Sequence, residues 1–154
     1  MDFLNLTNEF LQDAQKAYSY NPDIPMQYRI IATMTSNNDF YKAKKFFEAN
    51  KAHFNDEYAY LILDSAIEMC LNIVIDENGV IYDNEANMSK EHIYKPAPVE
   101  MEYIEYLLQN GANPHLPEHF NQFEHIEDME DDCSQQTGFQ FDLSEVKKLL
   151  IKYC

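Results

Sequence analysis

A chain of 154 residues fits one domain, and its 45% apolar content is enough to build a core, so disorder by composition is excluded. Three glycines leave few turns able to take positive φ, which argues against an all-β sandwich or a glycine-rich nucleotide fold. Eleven basic against twenty-seven acidic residues give a formal charge of −16, which repels nucleic-acid phosphates and anionic lipid and attracts basic proteins.

Cys70, Cys133 and Cys154 are odd in number and widely spaced, so neither a disulfide framework nor a zinc module is expected. The first residues, Met1-Asp2-Phe3-Leu4-Asn5-Leu6, carry no basic leader and no long apolar run. The expectation is a cytoplasmic protein with reduced thiols, no signal peptide and no membrane span.

In chain order, Leu4, Phe10, Leu11, Ala14 and Tyr18 predict a helix over about 2–19, broken by Asn21-Pro22 and Pro25. Ile30, Ile31 and Met34 predict a second helix over about 26–34, followed by a polar turn at 35–39. A third spans about 39–49, with Phe40, Ala43, Phe46 and Phe47 inward and Asp39 as its cap. A fourth, over about 56–71, carries Tyr60, Leu61, Leu63, Ala66, Ile67 and Cys70 and reads as central. Ile73-Val74-Ile75 and Val80-Ile81-Tyr82 flank Asn78-Gly79, the strongest short hairpin signal, so a two-stranded hairpin is expected over about 72–84.

A polar loop with Pro96 and Pro98 leads to a fifth helix over about 99–110, with Met101, Ile104, Leu107 and Leu108 on its stripe and Gly111 as its left-handed terminator. A sixth helix is placed from Pro117, with Phe120, Phe123 and Ile126 inward. The acid run 127–132 reads as a solvated loop. A last helix covers about 143–152, with Asp142 or Ser144 as its cap and Lys147, Lys148 and Lys152 suiting its dipole.

Three helices end alike. Phe46-Phe47-Glu48-Ala49-Asn50, Leu107-Leu108-Gln109-Asn110-Gly111 and Leu149-Leu150-Ile151-Lys152-Tyr153 each place two large apolar residues before polar ones. Residues 99–115, with the turn Gly111-Ala112-Asn113, resemble the second helix and turn of the ankyrin repeat. Leu63-Asp64-Ser65-Ala66-Ile67-Glu68 is similar to the first-helix stretch of that family, and 38–48 looks like an earlier second helix. The endings lie 61 and 42 residues apart, against about 33 in ankyrin arrays. The hairpin with its loop and the acid run near 127–138 account for the excess as two insertions. The Thr-Pro-Leu-His tetrapeptide of the family is missing. The resemblance implies a mainly α, single-domain stack of helix-turn-helix repeats across residues 1–154, with an inserted β-hairpin.

Catalytic signatures are absent from the sequence: no phosphate-binding glycine loop, Gly-x-Ser-x-Gly or His-Glu-x-x-His occurs. His115, His119 and His125, with Glu118 and Asp128 nearby, invite a metal reading, but Pro117 separates the first two and polar loop histidines are the expectation. Cys133 follows acids that deactivate a thiolate. The chain is therefore expected to be a non-enzyme with no cofactor and no metal.

Ankyrin-like architecture implies protein–protein recognition through first helices and turn tips. The residues carried there are Asp56, Glu57, Asp64 and Glu68 on the fourth helix and Glu118, Glu124, Glu127 and Asp128 near the sixth. All are acidic, so the expected partner has a basic surface, such as that of a toxin nuclease covered by an immunity-type inhibitor, with no direct nucleic-acid or membrane contact. A phage-type inhibitor of a defence complex and a non-inhibitory adaptor are the alternatives. The hairpin reads equally as a partner-binding arm or as cover for apolar surface.

Overall fold

The first helix is shorter at both ends than its periodicity predicts. The computed structural model describes residues 1–55, 57–71, 74–75, 81–82, 93–114, 121–138 and 140–153, and α1 occupies Asn8–Lys16. Thr7 caps it by accepting the Phe10 amide at 3.1 Å. Leu4, Asn5 and Tyr18 all sit at positive φ outside it. At the N-terminal end, the Asn50 amide takes the Asp2 N–H at Oδ1 and gives Nδ2–H to the Asp2 carbonyl, each at 2.6 Å. With those backbone groups satisfied from a distant loop, the leading residues need no helical ladder.

α2 (Met26–Ser36) runs two residues into the expected polar turn. Thr33 and Thr35 fit inside it because their hydroxyls bond back to the carbonyls of Arg29 and Ile31, each at 2.8 Å. Asn38, at φ 61°, then reverses the chain, and the Asp39 amide closes on the Met34 carbonyl at 2.9 Å. α3 (Phe40–Ala49) follows the expectation: Asp39 caps it, and Phe40, Ala43, Phe46 and Phe47 are buried. α4 is Ala59–Glu68, continued by a 3-10 turn at Met69–Leu71, with Leu61, Ile62, Leu63, Ala66 and Ile67 inside. Its expected first turn gives way to an Asn55 turn, in which the side chain accepts the Glu57 amide at 3.0 Å. Asp56 lies outside the described residues.

β1 (Val74–Ile75) pairs antiparallel with β2 (Ile81–Tyr82), Val74 opposite Tyr82. The Asn78-Gly79 turn expected between them lies outside the described residues. β3 (Ile93–Tyr94), in the expected loop, was not anticipated, and it pairs in parallel with β4 (Gln140–Phe141). α5 (Pro98–Gln109) starts on its proline, and Glu100 accepts the Ala97 amide at 2.6 Å. Gly111 ends it at φ 101°, with the amides of Gly111 and Ala112 returning to the Leu108 and Leu107 carbonyls.

The acid run 127–132 is a correction. It is helical throughout, as the middle of α6 (Gln122–Thr137). Asn121 caps this helix by accepting the amides of Phe123 and Glu124. Ile126 is fully buried, and Phe123, Met129 and Cys133 pack beside it on the core. Four inward residues at helical spacing hold the acids between them in register. The start expected at Pro117 lies outside the described residues, as does Phe120. α7 (Ser144–Lys152) closes the chain, led in by the Asp142 carboxylate, which accepts the Ser144 amide at 2.9 Å.

The fold is mainly helical. α2 packs against α1, α3 and α4, α4 against α5, and α5 against α7. Phe40 stacks on Tyr103 at 4.7 Å between α3 and α5, and the Tyr103 hydroxyl bonds Thr35 of α2 at 2.8 Å. Large side chains such as Tyr28, Phe46, Ile67 and Ile104 are fully buried, each contributing about 1.5–3 kcal/mol of transfer free energy.

Candidate functional site

Asp64 and Glu68 stand one turn apart on α4, so their side chains share a face. Gln122 and His125 stand three residues apart on α6 and meet them. Gln122 Nε2 donates to Asp64 Oδ1 at 3.3 Å, and His125 Nε2 lies 2.9 Å from the same oxygen. One ligand atom from each of Asp64, Glu68 and His125 can be chosen so that all lie within 4.8 Å of one another. The Asp64 side chain is 21% exposed and that of His125 33%. Gln122 is only 1% exposed, and its Oε1 has no hydrogen-bond partner among the described residues.

The electrostatics follow from that placement. Burial raises the Asp64 carboxyl above its usual range, while His125 and the bonds from Gln122, Glu68 and His125 pull it down. Burial and the neighbouring Asp64 raise Glu68, with His125 acting against them. Two carboxyls in contact require something positive or a proton between them. Tyr18 borders the group: its hydroxyl shares a 2.7 Å hydrogen bond with Ser65 and donates to the Leu61 carbonyl at 3.3 Å. Burial pushes its phenol well up, with Asp64 and Glu68 adding to the effect against the Ser65 bond. Cys133 is also raised, by burial, Asp132 and then Glu68, so its thiol is a poor nucleophile at neutral pH.

The residues expected to face a partner divide into two groups. Asp64 is half-buried against α6, where His125 and Gln122 reach it, while Glu68 beside it is exposed and interacts with Asp64. Glu57 is exposed in the turn before α4. Glu124, Glu127 and Asp128 are exposed on α6, and with Asp131 they form one stripe at helical spacing. Lys147 reaches Glu127 at 3.6 Å and Glu130 at 3.3 Å. Glu124, Asp128, Asp131 and Asp132 make no ion pair among the described residues. Asp56, Glu118, His115 and His119 lie outside the described residues.

His125 and Gln122 were not linked to Asp64 by sequence reasoning. One signal was present, since Asp64 and Glu68 form a like-charge i,i+4 pair on an otherwise apolar helix, an arrangement that costs stability without a compensating partner. The residue completing the pair is 57 positions away from Glu68, and no local pattern reveals it. Comparison with protein-family models, with curated proteins and with solved structures finds no match to the chain. No helix among the described residues is long and apolar enough to cross a membrane.

Proposed function

We propose that the chain is an acidic recognition module of ankyrin-like build, whose α6 face covers a basic, nucleic-acid-binding surface of a partner protein such as a nuclease toxin. The observation that carries this is the stripe on α6. Glu124–Asp128, Glu127–Asp131 and Asp128–Asp132 are like-charge pairs four residues apart and exposed, each costing the isolated chain roughly 0.2–0.5 kcal/mol. A basic partner turns that cost into attraction and speeds encounter.

The repeat reading rests on matched burial. The sets Phe40, Met101, Leu143; Ala43, Ile104, Val146; Phe46, Leu107, Leu149; and Phe47, Leu108, Leu150 occupy like positions at α3, α5 and α7, and each set is buried or packed on the core. In this reading α2, α4 and α6 are the first helices of three units, with β1 and β2 inserted between the two helices of the middle one. The parallel β3–β4 pair supports it, because like segments leading into second helices lie side by side.

A panel of basic nuclease domains provides the test, with inhibition and association rate measured as salt is raised. The association rate with a true partner falls at least about tenfold between roughly 0.05 and 0.3 M salt. The triple change Glu124→Gln, Asp128→Asn, Asp131→Asn lowers it several-fold while the protein stays folded. Binding that ignores salt and is lost on truncating exposed tyrosines would point instead to a non-inhibitory adaptor.

A further inference from the structure

We propose that Asp64, Glu68 and His125 form a binding site for a divalent transition-metal ion, with the Gln122 amide oxygen as a fourth ligand. This goes beyond the recognition reading and stands without it.

The donor set is mixed: two carboxylates and one imidazole. Such a set suits Zn²⁺ or Mn²⁺ better than Ca²⁺, which prefers all-oxygen cages, or Cu⁺, which prefers sulfur. The spacing fits as well. Ligand atoms about 2.1 Å from one dication lie about 3 to 3.4 Å from each other. His125 Nε2 and the Gln122 amide approach Asp64 Oδ1 at 2.9 and 3.3 Å. Both helices are anchored to the core by side chains beside the ligands, α4 by its buried apolar face and α6 by the fully buried Ile126. Two ligands on each of two helices that meet through these side chains is a familiar way for a helical protein to hold a metal.

Gln122 supplies the independent observation. Its side chain is almost wholly buried, its Nε2 already touches the cluster, and its Oε1 has no donor among the described residues. A buried amide oxygen without a donor is costly. Half a turn of the terminal amide puts Oε1 where Nε2 stands, 3.3 Å from Asp64 Oδ1. Two oxygens at that distance repel each other unless a cation lies between them. A proton shared by Asp64 and Glu68 would relieve that pair alone and would leave the Gln122 oxygen unanswered. A dication satisfies both.

The consequence is mechanical. A metal here ties α4 to α6, and so fixes the helix that presents the acidic stripe.

The experiment uses the full chain, stripped with a chelator and then offered Zn²⁺ or Mn²⁺ in equilibrium dialysis with elemental analysis. One ion per chain is expected, with a rise in Tm of about 4 °C or more at saturating metal. Asp64→Asn and His125→Gln should each weaken binding by roughly 30-fold or more, while Glu127→Gln with Asp128→Asn on the open stripe should leave it unchanged. Should the first two variants fail to fold, the wild-type His125 imidazole resonances decide. Stoichiometric metal must shift or broaden them before any other histidine. No binding, binding that Asp64→Asn and His125→Gln leave intact, or binding that spares the His125 resonances overturns the site.

Discussion

Arg29 is the chain's single arginine, and it is buried in a protein rich in acids without pairing with any of them among the described residues. Its guanidinium serves the loop between α1 and α2 instead. Nε donates to the Ile24 carbonyl at 2.9 Å, Nη2 to that of Asn21 at 2.6 Å, and Nη1 to those of Gln15 and Ala17. Only a planar fork with five donors satisfies four carbonyls at once. Arg29→Lys should therefore cost about 2–4 kcal/mol in urea unfolding despite keeping the charge. A loss under about 0.5 kcal/mol would mean that the loop holds without it. Tyr103 makes a second residue-scale case. Burial pushes its phenol up to about 12, the Thr35 bond opposing. Its ordinary value in the unfolded chain is about 10. The folded state thus retains the proton longer than the unfolded one, and stability falls as pH rises from about 10 to 12. Tyr103→Phe should remove that part of the alkaline loss, so plots of Tm against pH for the two proteins should converge over the window.

The element with most to teach is α6. Its acids suggest a solvated loop, yet the helix spans 16 residues. Charge density was the visible signal, while the deciding residues were sparse: Asn121 at the cap and Phe123, Ile126, Met129 and Cys133 on the inner face. A stripe of four among that many carboxylates is legible only when 123–133 is read as one helical window instead of being cut at the acid run. Opposite effects are expected from two substitutions here. Asn121→Ala loses the cap and should destabilise by about 1 kcal/mol. Asp128→Asn removes two like-charge pairs and should leave the protein equally stable or stabilise it by about 0.3–1 kcal/mol. Chemical denaturation with far-UV circular dichroism reads both. Destabilisation by Asp128→Asn would show that this carboxylate has a folding role.

At the scale of the whole molecule the net charge of −16 opposes compaction. Raising salt from roughly 0.02 to 0.3 M shortens the Debye length from about 20 to 6 Å and should raise Tm by several degrees. A Tm insensitive to salt would mean that the described ion pairs already balance the field. The same scale explains which parts of the architecture were legible. α3 and α5 follow from their stripes and terminators almost to the residue, because their signals are local: Asp39, Pro98 and Gly111 act within one turn of themselves. The parallel pairing of Ile93–Tyr94 with Gln140–Phe141 joins segments separated by two helices, and two-residue strands carry no periodicity to read.

The sequence alone determined the helical character, the inward faces, the acidity and most helix ends, since each depends on neighbours within about four positions. Tertiary structure decided where the early residues stop being helical, because a side chain 48 positions away takes their backbone bonds. It also decided the fate of the acids. Asp64, which reads as part of an outward charged surface, is drawn to His125 and Gln122 on α6, while Glu68, Glu124, Glu127 and Asp128 stay open to solvent. A carboxylate's role depends on what packing brings opposite it, and chain distance leaves no mark of that in the order of residues.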